Sequence, residues 1–378
     1  MNLSVGLLAN LSSRATVLSP ERGRVVTFDR EGRWLYYFRE GQTFKRSLSS
    51  EVHLRFRHQG RQRRRLRGPE ALEIFAEIHQ LALDLEDKAG GEILERLRDE
   101  ILLWSPERLA AESDRFSAVY RPISILPPDQ YLSIVLQATE GCSWKACTFC
   151  NFYMDRPFRL RQEADFAKHA SEVKELLGAG LRLRRGIFLG DGNALALSAD
   201  RLDPLLDVAR STFPDRQIFG FVDLYSGDRR QVRDWRHLVD QGLRRVYVGM
   251  ETGLDELLAW VNKPGSAEEL ERFVHTLKSA DLQVSLIVMV GLGGQEYRER
   301  HWTATGDLLF RLPLDRRDLI YLSPFVEHPE SRYRQDRIAA DLTPMTREEV
   351  EADLGRLAAA LRHRDLKVSR YDIREFVY

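Results

Sequence analysis

The sequence is poor in cysteine: only three occur among 378 residues, at positions 142, 147 and 150. An odd number of cysteines cannot pair completely within one chain, which argues against a disulfide-rich secreted protein and suits a reducing compartment. No apolar run approaches the ~18 residues that a membrane-spanning helix needs. The N-terminal segment lacks the basic start and the cleavage pattern of a signal peptide, so we interpret it as mature sequence. These absences predict a cytoplasmic protein with no membrane partner.

The chain also lacks an excess of charge of either sign. Lys and Arg number 57, as do Asp and Glu, so the chain as a whole is neither a basic nucleic-acid coat nor an acidic tail protein. Hydrophobic residues make up 43% and charged residues 30%, a composition that excludes a disordered or low-complexity chain. At roughly 150 residues per domain, the length predicts two or three domains.

All three cysteines lie in one short stretch, GCSWKACTFCNFY, and such a group suggests a shared metal site. A redox-active cysteine pair would leave Cys142 unexplained. A zinc site needs a fourth ligand, and the nearest downstream histidine is His169. In a four-iron cluster, three cysteines leave one iron without a protein ligand, and catalytic metal sites keep such a position free.

A strand followed by this loop, with Phe149 just before the last cysteine, resembles the radical S-adenosylmethionine (radical SAM) superfamily. The spacing C-x4-C-x2-C is one residue longer than the usual C-x3-C-x2-C. Together with the GC-x-W stretch, it resembles the Elongator/methylthiotransferase/NifB-like branch. The resemblance implies that Cys142, Cys147 and Cys150 hold a 4Fe-4S cluster whose open iron binds S-adenosylmethionine. It further implies an external one-electron reductant, flavodoxin- or ferredoxin-like, and abstraction of a hydrogen atom from an unidentified substrate.

Six apolar runs alternate with helical patterns, which predicts βα units with parallel strands buried in a sheet. The runs are Leu132–Ala138, Gly186–Gly190, Gln217–Leu224, Arg245–Met250, Leu282–Gly291 and Leu319–Val326. We therefore expect an α/β fold. The resemblance to the radical SAM superfamily implies that its six units form a partial (β/α)6 TIM-type barrel, with the active site at the carboxyl ends of the strands. The gap of an incomplete barrel would admit a large substrate.

The remainder of the chain predicts two flanking regions. Before the barrel, short strands are expected at 24–29, 34–39, 43–46 and 53–57. A helix from about Pro69 buries Ile74, Ile78, Leu81 and Leu85, and a second helix spans about 92–103. After the barrel, a helix at 346–362 precedes a strand near 367–369. The expected domains are residues 1–125, a small α+β domain of unknown role; 128–326, the barrel; and 327–378, a C-terminal extension.

The resemblance also implies cofactor-binding residues at successive strand ends. It places Phe149 beside adenine, Gly190, Asp191, Gly192 and Asn193 at the methionine amino group, Ser226 with Tyr225 and Arg229 at the carboxylate, Glu251 at the ribose, and Gly291 and Gly293 against adenine. Loop packing for Phe149, a helix cap for Glu251 and a solvated helix start for the residues near Ser226 are the alternatives. Two turns, at 262–265 and 321–324, can face the substrate, and no residue is assigned as catalytic.

A run of arginines between Arg55 and Arg67, the Arg-rich segment, is the remaining feature. Residues 1–68 carry 15 basic and 5 acidic side chains, a balance of +10, whereas residues 69–120 carry 5 and 13, a balance of −8. The segment can bind RNA phosphates or pair with the acidic helices that follow it. We favour the second interpretation, so RNA is a possible but not a favoured partner. The alternative to an enzyme is a non-catalytic zinc or iron–sulfur module that binds RNA.

Overall fold

The structure, a computed structural model, describes residues 7–57, 61–363 and 365–378, and its chain divides into two units. The first unit comprises Met1–Ile123, Ser171–Arg185 and Val377–Tyr378, and the second comprises Ser124–Ala170 and Gly186–Phe376. Residues 1–6, where the segment interpreted as mature sequence begins, lie outside the described residues. The three-part division at 125 and 327 stays a prediction.

Seven antiparallel strands of the first unit pair in sequence order to form one sheet. They are β1 (Leu8–Leu11), β2 (Ala15–Glu21), β3 (Arg24–Asp29), β4 (Trp34–Arg39), β5 (Gln42–Arg46), β6 (Val52–Arg57) and β7 (Arg61–Leu66). The four strands expected from the sequence are β3 to β6. The sequence does not predict β1, β2 or β7; the polar residues of β7 show no apolar alternation.

Helices α1 (Pro69–Glu86), α2 (Gly91–Arg96) and α3 (Pro106–Val119), with a π-helical turn at Leu97–Ile101, complete this unit. Helix α1 begins at Pro69, where the missing N–H of proline costs no hydrogen bond. The apolar face expected for it is confirmed: Ile74, Ile78, Leu81 and Leu85 are buried in one core with residues of the sheet. The unit is therefore the expected α+β fold.

A buried arginine connects distant parts of the first unit. The Arg33 guanidinium donates to Asp29 Oδ2 at 3.1 Å and to Glu112 Oε2 at 3.0 Å. It also donates to the carbonyl oxygens of Leu176 and Leu177, at 2.8 and 2.7 Å. These bonds explain why residues 171–185, far along the chain, belong to this unit.

The Arg-rich segment begins in strand β6 with Arg55 and Arg57, forms strand β7, and ends at Arg67 just before α1. Its residues 58–60 lie outside the described residues. Arg64 pairs with Glu70 at the start of α1, and Arg67 Nη2 lies 2.6 Å from Glu51 Oε1. The side chain of Arg61 lies outside the described residues. Carboxylates of the same unit thus already contact part of the segment.

Seven parallel strands form the sheet of the second unit, in the order β16-β15-β14-β13-β12-β11-β8. They are β8 (Ile134–Gln137), β11 (Ile187–Gly190), β12 (Ile218–Phe221), β13 (Leu243–Glu251), β14 (Gln283–Val290), β15 (Leu319–Pro324) and β16 (Val368–Arg370). The six expected barrel strands are confirmed. The strand expected near 367–369 is β16, and it adds a seventh strand because it pairs with the free edge of β15.

The remaining elements connect these strands. They are the antiparallel pair β9 (Thr139–Glu140) and β10 (Arg159–Leu160), and helices α4 (Glu163–Leu177), α5 (Ala199–Thr212), α6 (Leu224–Gly227), α7 (Val232–Asp240), α8 (Asp255–Trp260), α9 (Ala267–Ser279), α10 (Gly294–Arg311), α11 (Arg332–Ala339) and α12 (Arg347–Arg362). Single 3-10 turns occur at Pro128–Gln130, Gly178–Leu183, Ala194–Ala196 and Ile373–Glu375. None of the described helices combines the length and the apolar character of a membrane span.

A partly exposed polar network around Asp129 joins strands β13 and β15 to the residues before β8. The hydroxyls of Tyr247 and Tyr321 donate to the two oxygens of Asp129 at 2.6 and 2.7 Å. Arg245 Nη1 donates to Asp129 Oδ2 at 2.9 Å. The strands whose ends carry the candidate site are thereby fixed relative to one another.

Candidate active site around the three cysteines

The three cysteines lie in the loop between β9 and β10. Antiparallel pairing of Glu140 with Arg159 closes the base of this loop. Its middle is held by the segment after α8, because the Thr148 amide donates to the Val261 carbonyl at 3.0 Å and the Trp144 ring nitrogen to the Asn262 carbonyl at 2.9 Å. A long loop is thus fixed at both its ends and its centre.

Cys142, Cys147 and Cys150 are free thiols that line one cavity of about 390 Å³ at the carboxyl ends of the parallel strands. Within the described ranges, no three His, Cys, Asp or Glu side chains are arranged to hold a single metal ion. In a four-iron cluster each thiolate binds a different iron, so the thiols need not converge on one point. The donor set therefore fits a cluster with one open iron.

Burial controls the protonation of these thiols. It raises the pKa of Cys147 to about 12 and the pKa of Cys150 to about 11, while the nearby charge of Lys263 acts in the opposite direction. The free protein therefore holds these two residues as neutral thiols at pH 7. Because iron binds the thiolate, assembly of a cluster releases their protons.

The segment after β11 contains the expected glycine-rich residues, but only part of it reaches the cavity. Gly192 and Asn193 line the cavity, whereas Gly190 and Asp191 are not among its lining residues. A Cβ at Gly192 would lie 3.2 Å from Cys142 Cβ and 3.0 Å from the Gly141 carbonyl oxygen. This close approach explains the glycine beside the cysteine loop.

Both oxygens of Asp191 accept hydrogen bonds from neighbouring residues. Its Oδ1 accepts a hydrogen bond from the Gln137 side chain at 3.0 Å, and its Oδ2 accepts one from the Gly141 amide at 3.1 Å. Arg156 Nε lies 3.6 Å from Oδ2. Desolvation by burial raises the pKa of this carboxyl. The geometry thus gives Asp191 a role in holding the residue that precedes Cys142.

Asn193 connects the cavity to the end of the third barrel strand. Its Oδ1 accepts from the Asp223 amide at 3.1 Å, and its Nδ2 lies 3.2 Å from Ser143 Oγ and 3.3 Å from Ser226 Oγ. Asp223 also lines the cavity, but Ser226 does not. Ser226 instead lines a second cavity, of about 340 Å³, with Arg229 and Arg230.

Glu251, at the end of β13, carries the clearest unsatisfied group of the cavity. Its Oε1 accepts from Lys263 Nζ at 3.1 Å, whereas its buried Oε2 has no hydrogen-bond partner among the described residues. A Cβ at Gly249 would lie 2.2 Å from Glu251 Oε1, so only glycine leaves room for this carboxylate. A hydroxyl-bearing ligand would satisfy the free oxygen.

Lys263 lies in the turn after α8 and brings a buried positive charge to the cavity. Although desolvation lowers it, the negative charge of Glu251 raises the pKa of Lys263 above its usual value. The sequence placed this turn near the substrate without giving the lysine a role. Lys263 is the one lysine or arginine among the described residues that line this cavity.

Of the other residues expected to bind the cofactor, one lines the cavity and two do not. Phe149 lines the cavity and also packs against the cluster of Leu257 and Tyr333. Gly291 and Gly293 are not among the lining residues. Gly293 precedes α10 with φ of 83°, and a Cβ there would lie 2.7 Å from Tyr297 Cβ, so packing alone requires a glycine.

Sequence reasoning misses two lining residues that follow the last strand, Tyr371 and Ile373. The tyrosine directly follows β16, and its hydroxyl is buried without a hydrogen-bond partner among the described residues. The strand expected near 367–369 gives a weak indication of their position. Their exposure to the cavity depends on the pairing of β16 with β15, which no local pattern reveals.

Comparisons with known proteins identify one family. A family model described as the Radical SAM superfamily matches residues 136–305. No curated protein matches the chain in sequence.

Several solved structures are similar to the chain. Coproporphyrinogen III oxidase (HemN) from Escherichia coli is 19% identical with a TM-score of 0.47, over 67% of this chain and 56% of that chain. Elp3 from the archaeon Methanocaldococcus infernus is 14% identical with a TM-score of 0.44, over 63% and 56%. Methylornithine synthase (PylB) is 14% identical with a TM-score of 0.43, over 76% and 75%. The chain thus spans little more than half the length of the first two proteins.

Proposed function

Since this chain is a radical SAM enzyme, with its radical SAM domain at residues 136–305, we propose that it cleaves S-adenosylmethionine reductively and abstracts a hydrogen atom from a substrate. The cofactors of the family are a 4Fe-4S cluster and S-adenosylmethionine. When bound, they supply one-electron cleavage of the sulfonium bond, which releases methionine and a 5′-deoxyadenosyl radical. The branch that the cysteine spacing resembles stays a prediction.

One observation supports this proposal most directly. Three free thiols, the carboxylate of Glu251 and the buried cation of Lys263 all line the same cavity, and Glu251 Oε2 has no hydrogen-bond partner in the described part of the chain. We propose that Cys142, Cys147 and Cys150 bind three irons of the cluster. These donors match the needs of a metal cluster and of a cofactor with hydroxyl and carboxylate groups.

The chain's other contribution is to position the cofactor. Glu251 Oε2 can accept a hydrogen bond from a ribose hydroxyl, and Lys263 can pair with the methionine carboxylate, a role for which the sequence suggests Ser226. Gly192 and Asn193 would face the methionine amino group of bound S-adenosylmethionine, and Phe149 would lie beside its adenine ring. Apolar lining residues exclude water, which protects a reactive radical from side reactions.

The remaining expected residues act indirectly in this proposal. Asp191 holds the cysteine loop through the Gly141 amide, at 3.1 Å. Gly190 belongs to strand β11, and Gly291 and Gly293 shape the turn before α10. None of them needs to touch the cofactor for these roles.

The proposal includes an external one-electron reductant, flavodoxin- or ferredoxin-like, and a cytoplasmic location, because cluster assembly requires three reduced thiols. It gives less support to the RNA-binding module, since Arg64 and Arg67 already contact carboxylates. RNA therefore remains an unfavoured partner.

Anaerobic reconstitution tests the function. The protein should then bind about four irons, and reduction in the presence of S-adenosylmethionine should yield 5′-deoxyadenosine and methionine, detected by liquid chromatography and mass spectrometry. Replacing any one of the three cysteines with alanine should abolish both results. Full iron content in the triple alanine variant would sink the assignment.

A further inference from the structure

The residues that line the large cavity differ in chemistry from one side of the sheet to the other. The ends of β11 to β13 and the cysteine loop contribute the polar groups to which we assign the cofactor. The end of β15 and the segment after β16 contribute mainly apolar groups: Pro324, Phe325, Val326, Tyr371 and Ile373. None of these residues is assigned to the cofactor, so they are available to contact the substrate.

The charged groups on this second side already have partners. Glu327 Oε2 lies 2.7 Å from Arg337 Nε, and His328 Nδ1 accepts from the Glu330 amide at 3.3 Å. Lys263, the one lysine or arginine among the described lining residues, lies on the cofactor side, where it pairs with Glu251. No charge of the described lining is thus left to balance an ionic substrate on this side.

Tyr371 is the exception among these apolar residues. Its amide donates to the Leu322 carbonyl at 2.9 Å, which fixes the backbone, and its ring centroid lies 5.5 Å from that of Tyr321. The side chain is buried, at 2% exposure, and its hydroxyl has no hydrogen-bond partner among the described residues. Burial raises the pKa of Tyr371 well above its usual value, so the hydroxyl keeps its proton. A buried donor without an acceptor is unfavourable unless a ligand supplies one.

The same segment covers the gap that a six-stranded barrel would leave. Strand β16 pairs with the edge of β15, and the Phe376 ring lies 5.6 Å from the Tyr131 ring, which precedes β8. Asp372 ties this segment together, because Arg374 Nη2 donates to its Oδ2 at 2.8 Å. A wall at this position favours a small enclosed molecule over a large polymer.

We propose that this side of the cavity binds a small, uncharged and largely apolar substrate, whose carbonyl or ether oxygen accepts a hydrogen bond from the Tyr371 hydroxyl. The proposal rests on the proposed function, because the substrate must lie beside the site assigned to S-adenosylmethionine. Binding itself requires no cluster, so it can be measured separately. Ile373 and Val326 would contact the apolar body of the substrate.

The test uses two probes that differ only in an acceptor: acetophenone, which has a carbonyl, and ethylbenzene, which has none. Ligand-observed NMR titration of the anaerobically reconstituted protein measures both affinities. We expect the wild type to bind acetophenone about three- to tenfold more tightly than ethylbenzene. Tyr371→Phe should abolish this preference and leave ethylbenzene binding unchanged.

Tyr297→Phe is the matched control, because this nearly buried tyrosine lies outside the cavity lining and should keep the preference. Iron content and affinity for S-adenosylmethionine should stay at wild-type values in Tyr371→Phe, which also shows that the variant folds. A wild type without preference for acetophenone, or a preference that survives in Tyr371→Phe, would overturn the proposal.

Two further outcomes would also overturn it. Weaker binding of S-adenosylmethionine by Tyr371→Phe would place the hydroxyl on the cofactor, and displacement of acetophenone by single-stranded RNA would indicate a polymeric substrate. Failure of the proposed function would be seen in different measurements: the reconstituted protein would contain no iron or would produce no 5′-deoxyadenosine. The two failures are therefore distinguishable.

Discussion

Replacing Asp191 with alanine separates two roles for this carboxylate: supporting the cysteine loop and contacting S-adenosylmethionine. The change removes the hydrogen bonds from Gln137 and the Gly141 amide, at 3.0 and 3.1 Å. A hydrogen bond to a charged group contributes about 1.5–3 kcal/mol. Desolvation, which raises the pKa of Asp191, offsets part of the sum. We therefore expect the free energy of unfolding to fall by about 3 kcal/mol.

Thermal unfolding of the cluster-free protein, followed by circular dichroism, measures this loss. For a unit of this size we expect Tm to fall by about 6–12 °C. Iron content after reconstitution should also fall, because Gly141 directly precedes Cys142. Asp191→Asn keeps one acceptor oxygen, so its Tm and its iron content should fall less than those of Asp191→Ala. An Asp191→Ala protein with wild-type Tm and full iron content, but with ten- to hundredfold weaker cofactor binding, would refute the reasoning.

Three other changes test separate parts of the molecule. Glu251→Gln should keep the iron content and weaken S-adenosylmethionine binding about tenfold, as the loss of a charge-assisted bond implies; unchanged affinity in equilibrium dialysis would exclude the ribose contact. Burial lowers the pKa of His301 to about 4, so the unfolded chain, with a His pKa of about 6.5, binds the extra proton. This contribution to the free energy of unfolding should be fully present above pH ~6.5, and the free energy should fall by up to about 3 kcal/mol as the pH drops towards 4. His301→Gln should make the free energy of unfolding, measured by urea titration, depend less on pH. An unchanged pH dependence in that variant would contradict the prediction. Changing residues 61, 63, 64 and 65 of the Arg-rich segment to Ser should lower stability by about 1 kcal/mol with no RNA phenotype, and salt-sensitive RNA binding lost in that variant would reverse the preference.

Local patterns were sufficient for the elements of the barrel. Each of the six predicted barrel strands is a short, nearly continuous apolar run, and burial on both faces of a parallel sheet requires this composition. The apolar face of α1 was equally readable, because a period of 3.6 residues places Ile74, Ile78 and Leu81 on one side. Strand β7 was not readable, since its arginines show no alternation and its position depends on pairing with β6.

Only part of the candidate site could be predicted from the sequence, again because tertiary contacts decide the rest. The three cysteines and Glu251 are marked by residue type and by their place after a strand. Asp191 has the same kind of position, yet the structure turns its oxygens towards Gln137 and Gly141 instead of the cavity. Side-chain direction at a strand end depends on the neighbouring strand, which a linear pattern does not contain.

The sequence by itself determined the fold class, the position of the cysteine loop and the order of the strand ends, because periodicity and cysteine spacing are local properties. Only the tertiary structure decided which of those residues face the cavity. It also decided that Lys263 meets Glu251 at 3.1 Å and that Tyr371 reaches the cavity from the end of β16. These contacts join residues far apart in the chain, and their geometry is set by strand pairing and by the burial of charge, which act only once the chain has folded.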